Sequence, residues 1–180
     1  MRILTTDRLC LRPWHPDDAG FVFDLYSRWE VQRFIGTAPR VMADRSEAVE
    51  RIARWQNADH PVHGIWAVQR QADAQLVGTL LLKSIPASGT ALQQASGDTE
   101  IGWHFHPDYW GKGYATEAAS AVLAHGFSEG LDLVVAVTAP ENLASQKVCT
   151  RLGMKHRGTT DRYYDATCEL FVAGNPGTGV

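Results

Sequence analysis

The sequence predicts a mixed α+β fold, and three observations carry that expectation. Strand-like and helix-like patterns alternate along 180 residues with no internal repeat and no linker. The composition, 44% hydrophobic and 21% charged, suits a chain that buries one core. A strand pattern over 99–105 also runs through a glycine-bearing turn directly into a helix pattern beyond Ala115.

Residues 8–14 alternate as a strand. Residues 16–29 read as a helix, with Pro16 and the Asp17–Asp18 pair suited to a first turn, and with Phe21/Leu25 and Val22/Tyr26 four residues apart. Residues 43–58 read as a second helix carrying Val49, Ile52, Ala53 and Trp55. The β-rich runs 64–70 and 76–85, with a short polar turn between them, form a hairpin. Residues 86–98 are polar and contain glycine, which predicts a mobile hairpin loop. The long helix after the turn places Ala115, Ala118, Ala119, Val122, Leu123 and Phe127 at three-and-four spacing. Beyond it come a strand over 133–138, a short helix over 142–152 and two strands within 155–173. Residues 1–173 are thus expected to form a single domain and 174–180 a disordered tail.

The junction Tyr109-Trp110-Gly111-Lys112-Gly113-Tyr114-Ala115-Thr116 is a place to hold an anion. Glycine lets backbone N–H groups crowd together, and the first helical turn adds unpaired donors and the positive end of the helix dipole. A phosphorylated cofactor follows. A nucleotide-triphosphate loop is excluded, because His106 stands five residues before Gly111 and Gly113, not Ser or Thr, follows Lys112. A dinucleotide fingerprint fits poorly, since its third glycine position is Thr116 and the motif falls too late in the chain.

The net charge of −3 gives no global attraction to nucleic acid or to an anionic membrane. No apolar run approaches the ~18 residues of a membrane span, and Met1 to Leu4 lead into a charged strand without a signal-peptide core. Cys10, Cys149 and Cys168 are widely spaced, as in a reduced cytoplasmic protein. His104 and His106 share a strand face but have no third ligand at suggestive spacing, so no metal is expected. Trp29, Phe34 and Trp55 either line an acceptor site or pack in the core.

The junction resembles the pyrophosphate turn of the GNAT acetyltransferases, Gln/Arg-x-x-Gly-x-Gly/Ala in that family and Trp110-x-x-Gly113-x-Ala115 here. The tryptophan departs from the general pattern but is similar to the ribosomal-protein N-terminal (RimJ/RimL-type) branch. Glu100-Ile101-Gly102-Trp103, Asn142-Leu143-Ala144-Ser145, Arg151-Leu152-Gly153-Met154 and Thr6-Asp7-Arg8-Leu9 are similar to further segments of that branch. The resemblance implies the acyl-CoA N-acyltransferase fold, a mixed, mostly antiparallel twisted sheet of about six to seven strands with about four helices. It also implies acetyl-CoA as co-substrate, held by Trp110, Gly111, Lys112, Gly113, Tyr114, Ala115 and Thr116, with Phe105, Asn142 and Ser145 nearby.

The implied reaction is direct attack of an amine on the thioester. A backbone N–H near Phe105 would bind the oxyanion, and Glu100 would act as base unless it is merely a surface strand glutamate. Ser145 would protonate the leaving thiolate or only hydrogen-bond the cofactor. Many relatives have a tyrosine four residues later; here Cys149 stands there, as a packed residue or a reactive thiol, and Tyr163 or Tyr164 could reach in instead. The branch resemblance favours a protein or peptide N-terminus as acceptor. A small amine such as an aminoglycoside or polyamine stays open, as does a non-catalytic acyl-CoA-binding module. Neither nucleic acid nor membrane is an expected partner, and the protein is expected to be a monomer or homodimer.

Overall fold

The structure, a computed structural model, describes residues 1–57, 60–89 and 94–177. Its centre is an eight-stranded sheet in the order β1-β2-β3-β4-β5-β6-β8-β7. The strands are β1 (Leu4–Thr5), β2 (Leu9–Arg12), β3 (Gly64–Arg70), β4 (Leu76–Pro86), β5 (Ala95–Phe105), β6 (Leu133–Thr138), β7 (Lys155–Thr160) and β8 (Cys168–Gly174). Every neighbouring pair is antiparallel except β5 and β6, which are parallel. The helices are α1 (Ala19–Tyr26), α2 (Trp29–Gln32), α3 (Arg45–Gln56), α4 (Tyr114–Ser128) and α5 (Leu143–Arg151). Among the described residues, no helix is long and apolar enough to cross a membrane.

Side-chain alternation along the strands builds two layers on the sheet. Leu9, Leu11, Trp66, Val68, Leu80 and Leu82 face the side where α4 lays Ala118, Ala119, Val122 and Leu123 against them. Ala67 faces the opposite side, with α1, α2 and α3 contributing Val22, Leu25, Tyr26, Val31, Ala48 and Ile52. Each fully buried leucine in these layers contributes about 1.5–3 kcal/mol over its exposed state.

Several expectations need correction. Residues 16–29 do not form one helix: a 3-10 turn at Pro16–Asp18 precedes α1, and a break separates α1 from α2. The Asp18 carboxylate turns back to Arg12 (2.8 and 2.9 Å) and to the His15 N–H (2.8 Å), which fixes the entry to α1. At the exit, the Ser27 hydroxyl donates to the Asp24 carbonyl (3.0 Å) and Arg28 is extended, so the helical ladder stops. The second helix starts at Arg45, where Asp44 caps it by accepting from the Ser46 N–H (2.8 Å). It ends at Gln56, and residue 58 lies outside the described residues.

The expected loop over 86–98 is mostly strand at its ends. Pro86 pairs with Ala95, and a register irregularity between Ser84 and Pro86 absorbs the polar stretch. Residues 90–93 lie outside the described residues. The first residues of the expected disordered tail are ordered: Gly174 closes β8, and the Asn175 N–H donates to the Asp132 carbonyl (2.8 Å). Residues 178–180 lie outside the described residues. The strand and helix counts exceed the expected numbers through β1, two residues paired to Leu11 and Cys10, and through the single-turn α2.

Gly78 marks the tightest backbone approach near the end of β5. A Cβ there would lie 2.6 Å from the His104 carbonyl oxygen and 2.8 Å from the Phe105 ring. Gly78→Ala is therefore expected to lower stability by about 1–3 kcal/mol in urea denaturation. An unchanged midpoint would show that β4 and β5 do not approach this closely.

Candidate active site

β4 pairs with β5 as far as Phe105, and β8 pairs with β6 along its whole length. Between β5 and β6 the only register is Glu100 opposite Val135. Beyond it the two strands part, and the gap opens into a cavity of about 820 Å³. The His106 N–H donates to the Val77 carbonyl on the β4 side (2.9 Å). Alternation along the strand therefore turns the Phe105 N–H the other way, toward the gap.

The turn after β5 ends on Gly113, which caps α4 with no side-chain hydrogen bond. Gly111 and Gly113 have φ of 73° and 80°, a left-handed conformation that glycine adopts without the Cβ clash. The first intrahelical bond runs from the Glu117 N–H to the Gly113 carbonyl (3.1 Å). The N–H groups of Tyr114, Ala115 and Thr116 thus precede the first bonded helical donor and form the positive end of α4. Trp110 is pinned by its indole N–H, which donates to the Phe105 carbonyl (2.7 Å).

Glu100, Phe105, Trp110, Gly111, Gly113, Tyr114, Ala115, Thr116, Asn142 and Ser145 all border the cavity. Lys112 does not; its ammonium lies 5.1 Å from the Tyr109 ring centroid. Asn142 caps α5, its Oδ1 accepting from the Ser145 N–H (3.2 Å). Thr138, at the end of β6, borders the cavity with a buried hydroxyl that has no hydrogen-bond partner.

Glu100 is no surface residue: it is 7% exposed. The Tyr164 hydroxyl donates to its Oε2, and the Lys83 ammonium lies 3.3 Å from the same oxygen. Lys83 also donates to the Tyr164 oxygen (2.6 Å), closing a cluster that reading the sequence did not find. Tyr164 gets there through a left-handed turn, φ 61° at Tyr164 and 51° at Asp165. Ser88 and Gly89 fasten that turn through bonds to Asp165 (2.9 and 2.6 Å). Burial, with the Glu100 charge next, pushes the Tyr164 hydroxyl well above its ordinary pKa, so it stays a donor. Tyr163 points elsewhere and donates to Asp98 (2.7 Å).

His104 borders the cavity with Nδ1 2.9 Å from the Tyr26 hydroxyl. Burial, and then the Arg51 and Lys83 charges, pull its pKa down to about 3, so it is neutral. His106 engages Asp24 instead (3.0 Å). Of the three aromatic residues considered for an acceptor wall, only Phe34 borders the cavity, beside Val31 and Ile35. Trp29 is exposed, and Trp55 packs on Trp14 at 5.2 Å.

The chain matches the acetyltransferase (GNAT) domain family over residues 8–155. It is 32% identical over 163 residues to the uncharacterized N-acetyltransferase YoaA of Bacillus subtilis, spanning 89% of this chain and 87% of that protein. A GNAT-family acetyltransferase from Bacillus anthracis superposes with a TM-score of 0.79 at 24% identity, over 97% and 99% of the two chains. RimL, a ribosomal L7/L12 alpha-N-protein acetyltransferase solved with coenzyme A, superposes with a TM-score of 0.77 at 14% identity, over 96% and 98%.

Cys149 is fully buried and does not border the cavity. Burial pushes its thiol from near 9.0 up to about 12, which removes the thiolate a nucleophile needs. The native protein is expected to resist alkylation at Cys149 at pH 8, as read by mass spectrometry. Because the folded-state value is the higher one, the stability this thiol contributes is intact below pH 9.0 and falls as pH rises toward 12. Cys149→Ala should cost about 1 kcal/mol in packing and soften that alkaline loss. Rapid alkylation of folded protein would contradict the buried assignment.

Proposed function

The chain belongs to the GNAT acetyltransferase family and is an acetyl-CoA-dependent N-acetyltransferase; we propose that its acceptor is the α-amine of a protein or peptide N-terminus and that Glu100 takes the amine proton. One observation carries the second half of this reading: a buried carboxylate stands where β5 and β6 part, on the wall of the cavity shared with the α4 turn. The Lys83 ammonium lies 3.3 Å from its Oε2 and gives the buried carboxylate a charged partner.

The cavity suits acetyl-CoA. The amides of 114–116 and the positive end of α4 fit its diphosphate, and the left-handed Gly113 keeps that approach free of a side chain. The unpaired strand edges that face the gap fit the amides of the pantetheine arm. In the reaction the amine nitrogen attacks the acetyl carbon, and the Phe105 N–H supports the oxygen as it gains charge. The carbon–sulfur bond then breaks, Glu100 holds the amine proton, directly or through a water, and Ser145 passes a proton to the departing thiolate and regains one from solvent. Tyr164 is committed to Glu100 and Lys83, which supports Ser145 rather than a tyrosine in that last role.

The α-amine follows from energetics. Deprotonating an amine of pKa ~7.7–8.0 at pH 7 costs about 1 kcal/mol, against about 4.6 kcal/mol for a lysine near 10.4. Among the described lining residues, Arg33, Lys83, Lys147 and Arg151 face only Glu30 and Glu100. That balance suits an anionic co-substrate and disfavours a polycation such as a polyamine or aminoglycoside. RimL, which shares the fold, is an alpha-N-protein acetyltransferase, in agreement with an N-terminal α-amine. The three cysteines are unpaired, in keeping with a cytoplasmic setting.

The test pairs two peptides, one with a free N-terminus and no lysine, one N-terminally blocked with a lysine, with the parental protein and with Glu100→Gln. The free N-terminus is expected to be acetylated preferentially. The variant should still bind acetyl-CoA while turnover falls about 10²-fold or more, with a loss that shrinks as pH rises. Preferential modification of the blocked peptide would overturn the acceptor; parental turnover by the variant at neutral pH would remove Glu100 as base.

A further inference from the structure

Just ahead of β2, Arg8 lies beneath the turn that opens α4, and its bonds reach both the turn and the helix. Its Nε and Nη2 each lie 2.6 Å from Glu117 Oε2. Its Nη1 donates to the Lys112 carbonyl (3.1 Å). The Arg8 backbone N–H and the Thr6 hydroxyl donate to the other Glu117 oxygen (3.0 and 2.6 Å). The guanidinium lies over the Tyr114 ring at 4.7 Å, and Nη2 would stand 3.5 Å from a Cβ on Gly113.

Glu117 sits in the first turn of α4, at the same positive helix end that the turn offers to phosphate. Two negative groups there compete for one set of donors and repel each other at short range. A carbonyl at 112 facing the phosphates would add to the repulsion. Arg8 removes both problems, because it binds the carboxylate with two nitrogens and holds the Lys112 carbonyl down with the third.

We propose that Arg8 is a positioning residue for the diphosphate of the acyl donor: it cancels the Glu117 charge and fixes the Lys112 carbonyl, leaving the amides at the start of α4 to the phosphate oxygens. This rests on the acetyl-CoA reading of the turn. The role is one of charge compensation, so it has a signature that simple bracing of the fold lacks. Removing Arg8 alone strands a negative charge beside the phosphates, whereas removing Glu117 with it does not.

The test measures coenzyme A affinity by calorimetry for the parental protein, Arg8→Met, Arg8→Lys, Glu117→Gln and the Arg8→Met/Glu117→Gln double variant. Turnover is measured in parallel with acetyl-CoA and with S-acetylpantetheine, which has the thioester arm but no diphosphate. Ligand-free melting curves check folding, and Arg8→Lys serves as a second probe that keeps the charge. Arg8→Met is expected to weaken coenzyme A about tenfold or more, with Arg8→Lys intermediate. The double variant should bind several-fold better than Arg8→Met. The loss with S-acetylpantetheine should be several-fold smaller than with acetyl-CoA. Coenzyme A affinity of Arg8→Met within about twofold of parental, equal losses with both acyl donors, or a double variant no better than Arg8→Met would each overturn the proposal. Failure of the parental protein itself to bind coenzyme A would overturn the reading of the turn on which it rests.

Discussion

β5 and β6 run parallel and meet at one register, Glu100 beside Val135, while each is paired along its length to an antiparallel neighbour on its other side. The consequence is a run of backbone polar groups at the centre of the sheet whose hydrogen-bond partners lie outside the sheet. Because the two strands are parallel, the chain leaves both at the same end, and each is followed by a helix, α4 after β5 and α5 after β6. Two helix N-termini and an open strand edge therefore gather at one crevice, the location at which open α/β sheets bind ligands. The uncapped Gly113 is a local expression of that arrangement.

The acceptor side depends on a different constraint, the burial of Glu100. A buried carboxylate without partners would protonate or destabilise the fold. Lys83 and Tyr164 supply the partners, and they come from different places: Lys83 is the cross-strand neighbour of Glu100, while Tyr164 arrives from the β7–β8 loop. The bonds of Asp165 to Ser88 and Gly89 hold that loop against the end of β4. Fold and site are coupled here, since the same bonds that fasten the loop determine what Glu100 touches.

What could be read in the sequence was local. The strand-to-helix junction and the hairpin of β3 and β4 express themselves within a few residues, and the structure places them as expected. The break between α1 and α2 was hidden because Ser27 and Arg28 end a helix through bonds to Asp24 that hydrophobic spacing does not reveal. β1 is too short to show a period. The Lys83–Glu100 pair depends on register, and the irregularity between Ser84 and Pro86 makes that register impossible to count from loop length. Arg8 and Glu117 are 109 residues apart, and no local pattern joins them. The candidate site was thus legible where glycine geometry defines its turn, and illegible where it depends on which distant side chains meet.

Placement of the acyl donor across the β5–β6 gap, with its diphosphate on the α4 turn, is the claim on which the rest depends. The most direct measurement is a backbone amide NMR titration of the parental protein with acetyl-CoA. The largest shifts are expected at 113–116 and at Phe105, saturating together with one affinity, and coenzyme A stripped of its acetyl group should reproduce the shifts at 113–116. Saturating shifts confined to α2 or to the far edge at β7, with 113–116 unmoved, would contradict it.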